Sequence, residues 1–120
     1  MATEYTRKEK AILRQLASEA WESQLDSELD QLFESFCTWA NKGISAFDLS
    51  DQIHAFHNGV SRELYKRYTS LPHEIAVARA VVLGLASEES IEPMLLEKLR
   101  PLIEAHHDWE EKYPRTRSPP

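Results

Sequence analysis

The sequence predicts an all-α protein, and three observations carry that expectation. No glycine or proline interrupts the chain before Gly43. Apolar side chains recur at steps of three and four from residue 25 to residue 39 and again from residue 49 to residue 68. The one run that would suit a strand, Val81 to Leu83, has no second strand candidate to pair with. With 120 residues, 42% of them hydrophobic and 28% charged, the chain suits one helical domain, residues 1–113, followed by a short tail, 114–120. A lone domain of this size buries only about two-thirds of the surface its unfolded chain exposes, which leaves room for a partner subunit to add stability.

Thr6 and Glu9 have capping-box spacing before an apolar run, so a long first helix is expected from Arg7 to Asn41. Ile12, Leu13, Leu16, Ala20 and Trp21 form one stripe on it. Leu25, Leu29, Leu32, Phe36 and Trp39 form a second, slightly out of phase, so two packing neighbours are expected. At about 1.5 Å per residue such a helix is roughly 50 Å long, more than the shorter helices of the same chain can cover. A second copy is expected to supply the missing surface.

Gly43 is placed to end this helix in a left-handed cap, and Ser45 or Asp48 to begin the next. The second helix, Phe47 to Tyr68, carries Leu49, Ile53, Phe56, Val60, Leu64 and Tyr68 in one stripe. Asn58 and Gly59 could form a turn there, but the stripe keeps phase on both sides. An unbroken helix is therefore preferred, with Gly59 permitting a close backbone approach. A third helix starts at Pro72, runs to Ala86 and is apolar nearly all round, so it should be the most buried element, with Ala76, Ala80 and Gly84 as a small-residue seam. Ser87 or Ser90 would cap a short helix, Pro93 to Leu99. Pro101 would begin a separate last helix to Lys112, because the residue before a proline tends to leave the helical region. The proline-rich end from Pro114 is expected to be mobile.

Fourteen Lys and Arg against twenty Asp and Glu give a net charge of −6, which disfavours binding to phosphate backbones, so no nucleic-acid partner is expected. Three glycines provide no phosphate cradle, and one cysteine provides neither a disulfide nor a multi-cysteine zinc site. A reducing, cytoplasmic location without membrane span or export leader is expected, and Cys37, beside Phe36 and Trp39, is expected to be a buried, unreactive thiol.

Six acids, Glu19, Glu22, Asp26, Glu28, Asp30 and Glu34, and no base lie between Gln15 and Asn41, whereas Arg62, Lys66 and Arg67 cluster near the end of the second helix. They are either a solvated acidic face with helix-end cations or two tracts that face each other across a two-fold dimer. His54, His57, Glu104 and His107 make a metal-site alternative, because Asp51 with His54 and Glu104 with His107 have the carboxylate-to-histidine spacing of bundle metal ligands. Against it, only one of the two fragments carries Glu; otherwise these histidines are helix-face residues. No nucleophile constellation stands out from chance, so neither catalysis nor a cofactor is expected. His54, Asn58, Arg62, Tyr65 and Lys66 form an anchor set of the kind favoured at protein interfaces, although Tyr65 and Tyr68 could be core-edge residues with their hydroxyls in water.

From Asp48 to Ile103 the chain resembles the fluorescence recovery protein family. The likeness is carried by Asp48-Leu49, Ile53 to Phe56, Arg62-Glu63, a basic residue before Tyr68, the apolar third helix and an acidic capped turn. The resemblance implies a cofactor-free all-helical homodimer in which the long first and second helices build the interface, with a C-terminal helical head. In cyanobacteria such proteins bind the photoactivated orange carotenoid protein and speed its return to rest, ending photoprotective quenching. Three positions depart from that pattern: Asp51 stands where it has Trp, Ala55 where it has Asp, and Ser61 where it has Arg. The expectation is therefore a bacterial relative outside that system, a dimeric regulatory protein with a partner of its own. Leu25, Leu29, Leu32, Phe36, Trp39, Ile53, Phe56 and Val60 are expected at its dimer interface. A helical metalloprotein and a purely structural bundle are the alternatives.

Overall fold

The structure, a computed structural model, describes residues 4–112. The fold is all-α, with no strand among the described residues: α1 (Arg7–Ala40), α2 (Ala46–Ala55), a π-helical segment (Phe56–Ser61), α3 (Arg62–Ser70), α4 (His73–Val82), a 3-10 turn (Glu88–Ser90) and α5 (Pro93–Lys112). Among the described residues no helix is long and apolar enough to cross a membrane. The proline-rich end, 114–120, lies outside the described residues. The chain divides into two compact units, Met1–Ala17 with Pro72–Pro120, and Ser18–Leu71. α1 contributes to both, and the change falls between Ala17 and Ser18, inside the first apolar stripe rather than between the two stripes.

The first unit holds most of the buried apolar residues: Leu13 and Ala17 from α1, Ala76, Val77, Ala78 and Ala80 from α4, and Ile91, Leu95, Leu99 and Ile103. Packing of α4 against α5 is its main helix pairing, and α4 is buried on several sides, as its all-round apolarity requires. The capping box is present at the start of α1: Glu9 N–H donates to Thr6 Oγ1 at 3.1 Å and Thr6 N–H to Glu9 Oε1 at 2.8 Å. The same carboxylate accepts from Lys98 Nζ at 2.6 Å. This bond and the Thr6 amide hold the Glu9 carboxyl below its ordinary value of 4.5. A lowered folded value means that the contribution is complete above 4.5 and lost as pH falls through that lower value. Thermal melts of Glu9→Gln are therefore expected to depend less on pH than the parent's in that acid range.

Three expectations are corrected in this unit. α4 ends at Val82 instead of Ala86, because Gly84 takes φ +77° and closes a Schellman cap: Leu85 N–H donates to Ala80 O at 2.8 Å and Gly84 N–H to Val81 O at 3.1 Å. The seam therefore keeps Ala76 and Ala80 and loses Gly84. Gly84→Ala is expected to lower stability by about 1–2 kcal/mol, measured by denaturant unfolding, since a Cβ is penalised in the left-handed region. Second, α5 runs unbroken from Pro93 to Lys112 through Pro101. Leu95, Leu99 and Ile103, at steps of four, are all buried, and at about 1.5–3 kcal/mol per side chain their packing outweighs the roughly 3 kcal/mol cost of an internal proline. Third, Ser87 caps the 3-10 turn, accepting from Glu89 N–H at 3.2 Å, and Pro93 itself occupies the first turn of α5.

In the second unit α1 also ends in a Schellman cap, but the left-handed residue is Lys42, with φ 63°, not Gly43. Gly43 N–H donates to Thr38 O at 2.8 Å, and a Cβ on Gly43 would lie 2.7 Å from Thr38 Cγ2, so glycine is required by proximity rather than by its dihedral angle. Lys42→Gly is accordingly expected to stabilise the chain by up to about 1 kcal/mol in denaturant unfolding. A reciprocal capping box opens α2: Asp48 N–H donates to Ser45 Oγ at 3.0 Å, and Ser45 N–H to the Asp48 carboxylate at 3.2 Å.

The helical path continues from Ala46 to Ser70, but through the π segment at Phe56–Ser61. Phe56, Val60, Leu64 and Tyr68 are spaced by three successive fours. An α-helix turns once in about 3.6 residues, so these steps overrun it by about one residue, which a wider π turn absorbs. Gly59 sits inside that segment with open space where its Cβ would be. Its expected close backbone approach is therefore absent, and its place reflects the interrupted α ladder.

Candidate functional site

Within Ser18–Leu71 the buried positions are Ala20, Leu49, Leu64 and Tyr68, whereas Leu29, Phe33, Phe36, Trp39, Phe47, Ile53 and Tyr65 are exposed. This unit thus exposes more large apolar residues than it buries. Its buried side rests on an aromatic cluster. Trp21 on α1 stacks on Tyr68 of α3, with ring centroids 5.8 Å apart and planes 4° apart, and meets the edge of Tyr65 at 6.0 Å and 62°. The Tyr68 hydroxyl donates to Gln24 Oε1 at 2.5 Å. Tyr68 is thus a buried, hydrogen-bonded residue, not a core-edge tyrosine with its hydroxyl in water.

The expected interface residues fall along this incomplete core. Leu25, Leu32, Phe56 and Val60 are half-buried, and Leu29, Phe36, Trp39 and Ile53 are exposed. Phe33, 65% exposed, belongs with them although it lies one residue off the stripe. It is four residues after Leu29, and the broad apolar face of a packed helix includes such positions as often as the central seam. Cys37 is exposed, which corrects its expected burial. From Phe36 to Asn41 every residue of α1 and its cap is exposed, so no other described residue covers that stretch.

His54, Asn58, Arg62 and Lys66 are exposed, and Tyr65 is 59% exposed even though its ring edge rests on Trp21. The five residues belong to one continuous helical run, with Asn58 inside the π segment and Arg62 immediately after it. The extra residue in the π turn rotates Arg62, Tyr65 and Lys66 relative to His54 compared with a uniform α-helix. Five of the six acids on α1 are exposed and Glu28 is half-buried; Arg62 and Lys66 are exposed and Arg67 is half-buried.

The candidate metal ligands are distributed over both units: His54 and His57 belong to Ser18–Leu71, Glu104 and His107 to the other. Side-chain ligand atoms do gather within 4.8 Å around His107, but with Asp108 and Glu111, not with Glu104. All three are exposed, and such a group on a solvated helix end has no fixed second shell to orient it.

No family model, curated protein or solved structure matches this chain.

Proposed function

We propose that this chain is a non-catalytic, homodimeric helical interaction protein. In this reading a second copy covers the apolar face of α1 and the middle of the α2–α3 stripe, and His54, Asn58, Arg62, Tyr65 and Lys66 are offered to another protein. The observation that carries it is the inverted balance of Ser18–Leu71, with seven large apolar side chains exposed and four residues buried. Charge restricts how two copies can meet. The acidic tract of α1 would repel itself in register and suits the Arg62, Lys66 and Arg67 cluster of the other protomer, which favours an isologous arrangement. The free, exposed Cys37 fits a reducing compartment, and we place the protein inside the cell.

The resemblance to fluorescence recovery proteins supports the dimeric scaffold in this proposal, while Asp51, Ala55 and Ser61 argue for a partner other than the orange carotenoid protein. A Trp anchor replaced by Asp51 removes contact area and adds a charge. Sedimentation at micromolar concentration tests the architecture. A species of about twice the 13.9 kDa chain mass, weakening as salt rises, is expected; a monomer throughout overturns it. For the partner surface, Arg62→Glu with Tyr65→Ala is expected to leave dimer mass and helicity intact while abolishing capture of a protein partner from lysate. Unchanged capture refutes that surface. Added to photoactivated orange carotenoid protein, the chain is expected to leave its recovery rate unchanged.

A further inference from the structure

Beside the buried stripe of α5 lies an open groove of about 500 Å³ between that helix and α4. Leu102, Ala105, His106, Trp109 and Glu110 stand at i, i+3, i+4, i+7 and i+8, so they share one face of α5, while Ile75 and Arg79 form the wall on α4. Ile75, Leu102 and His106 are half-buried, but Trp109, the largest side chain of the groove, is 61% exposed. An exposed aromatic ring in an apolar groove suits a proline-rich segment, whose extended helix is preformed and loses little entropy on docking.

The chain carries such a segment next to this groove. Tyr113-Pro-Arg-Thr-Arg-Ser-Pro-Pro120 lies outside the described residues and follows Lys112, the last residue of α5, about one helical turn beyond Trp109. Its eight residues reach about 25 Å in the polyproline II form, whereas Leu102 to Trp109 spans about 10 Å along the helix axis. Half of the segment is enough to turn back and half to cover the groove. Charge matches as well. Glu104, Asp108, Glu110 and Glu111 lie near the negative end of the α5 dipole with no Lys or Arg between them, and the segment carries Arg115 and Arg117 and no acid. We propose that residues 113–120 fold back on α5 of the same chain as a strap. Its prolines pack against Trp109, Leu102 and Ile75, and its two arginines lie beside the α5 carboxylates, away from Arg79 on the opposite wall. Groove and strap both belong to the unit without the exposed apolar face, so the inference stands apart from the dimer proposed above.

Nuclear magnetic resonance on the whole chain tests it. Nuclear Overhauser contacts are expected between the Trp109 indole and the rings of Pro114, Pro119 or Pro120, and a mixture of labelled and unlabelled protein should show them within one copy only. Backbone order parameters of residues 115–118 should exceed about 0.6 in the parent and fall below it in Trp109→Ala. Arg115→Glu with Arg117→Glu alters the strap alone and should weaken docking at least about fivefold, read from the movement of those amides toward unfolded positions. Circular dichroism checks that each variant is folded. Contacts between copies would make the second copy's segment the occupant, and no contact at all would leave the groove to another protein; either result overturns the proposal. It also fails if residues 115–118 stay ordered in folded Trp109→Ala or ignore the reversal of both arginines.

Discussion

Truncating Phe36 and Trp39 together to alanine is expected to turn the proposed dimer into a monomer whose helices remain intact. Both side chains are about half-exposed in the single chain, 40% and 44%, so their removal opens little cavity within the protomer and alanine suits a helix. Central aromatic anchors at an interface contribute about 2 kcal/mol or more each, and each change occurs in both protomers, so the pair should raise the proposed dimer's Kd by at least about a thousandfold. Sedimentation velocity reads the mass and far-ultraviolet circular dichroism the helicity. Cys37 provides an independent readout, because its thiol lies between the two truncated residues in sequence. In the parent its alkylation should slow as protein concentration rises, whereas in the double variant it should be fast at every concentration. Unchanged mass and concentration-independent alkylation would remove α1 from the interface.

Leu95→Ala should have the largest effect on the stability of a single chain. Leu95 is 0% exposed in α5, and a fully buried leucine cut to alanine costs about 2–5 kcal/mol because the cavity only partly collapses. Denaturant unfolding should show an unfolding free energy lower by that amount when parent and variant are compared at the same protein concentration. The neighbouring Met94 is 68% exposed, and Met94→Ala should change stability by less than about 0.5 kcal/mol. The two predictions differ because the unit containing α4 and α5 has a core of its own, whereas Ser18–Leu71 exposes more large apolar side chains than it buries.

Much of the helical layout was legible in the residues. Thr6 with Glu9 announced one helix start by its capping-box spacing, and Ser45 or Asp48 marked the next, where the structure makes Ser45 the cap and Asp48 its reciprocal partner. The three successive fours from Phe56 to Tyr68 read as a stripe in phase with an unbroken helix, and the π segment they cross was missed. That His54, Asn58, Arg62, Tyr65 and Lys66 share one exposed helical run was legible too, because period and residue type mark a helix face. Whether a given member is covered depends on neighbours distant in sequence. Phe33 was missed, Cys37 was assigned to a core, and the groove between α4 and α5 left no trace in the spacing, because it joins residues 75–79 to residues 102–110.

By itself, then, the order of residues determined that the chain is helical, that its first helix is long and acidic, and that apolar side chains line its second half, all of which follow from local hydrogen bonding and a repeat of about 3.6 residues. Only the tertiary structure decided that Pro101 lies within a helix, that Lys42 rather than Gly43 takes the left-handed turn, and that Tyr68 is buried on Trp21 while Trp39 stands exposed. For Pro101 and Tyr68, burial against residues far apart in the chain outweighs a local preference worth a few kcal/mol at most, whereas at Lys42 and Gly43 the packing against Thr38, five residues back, decides.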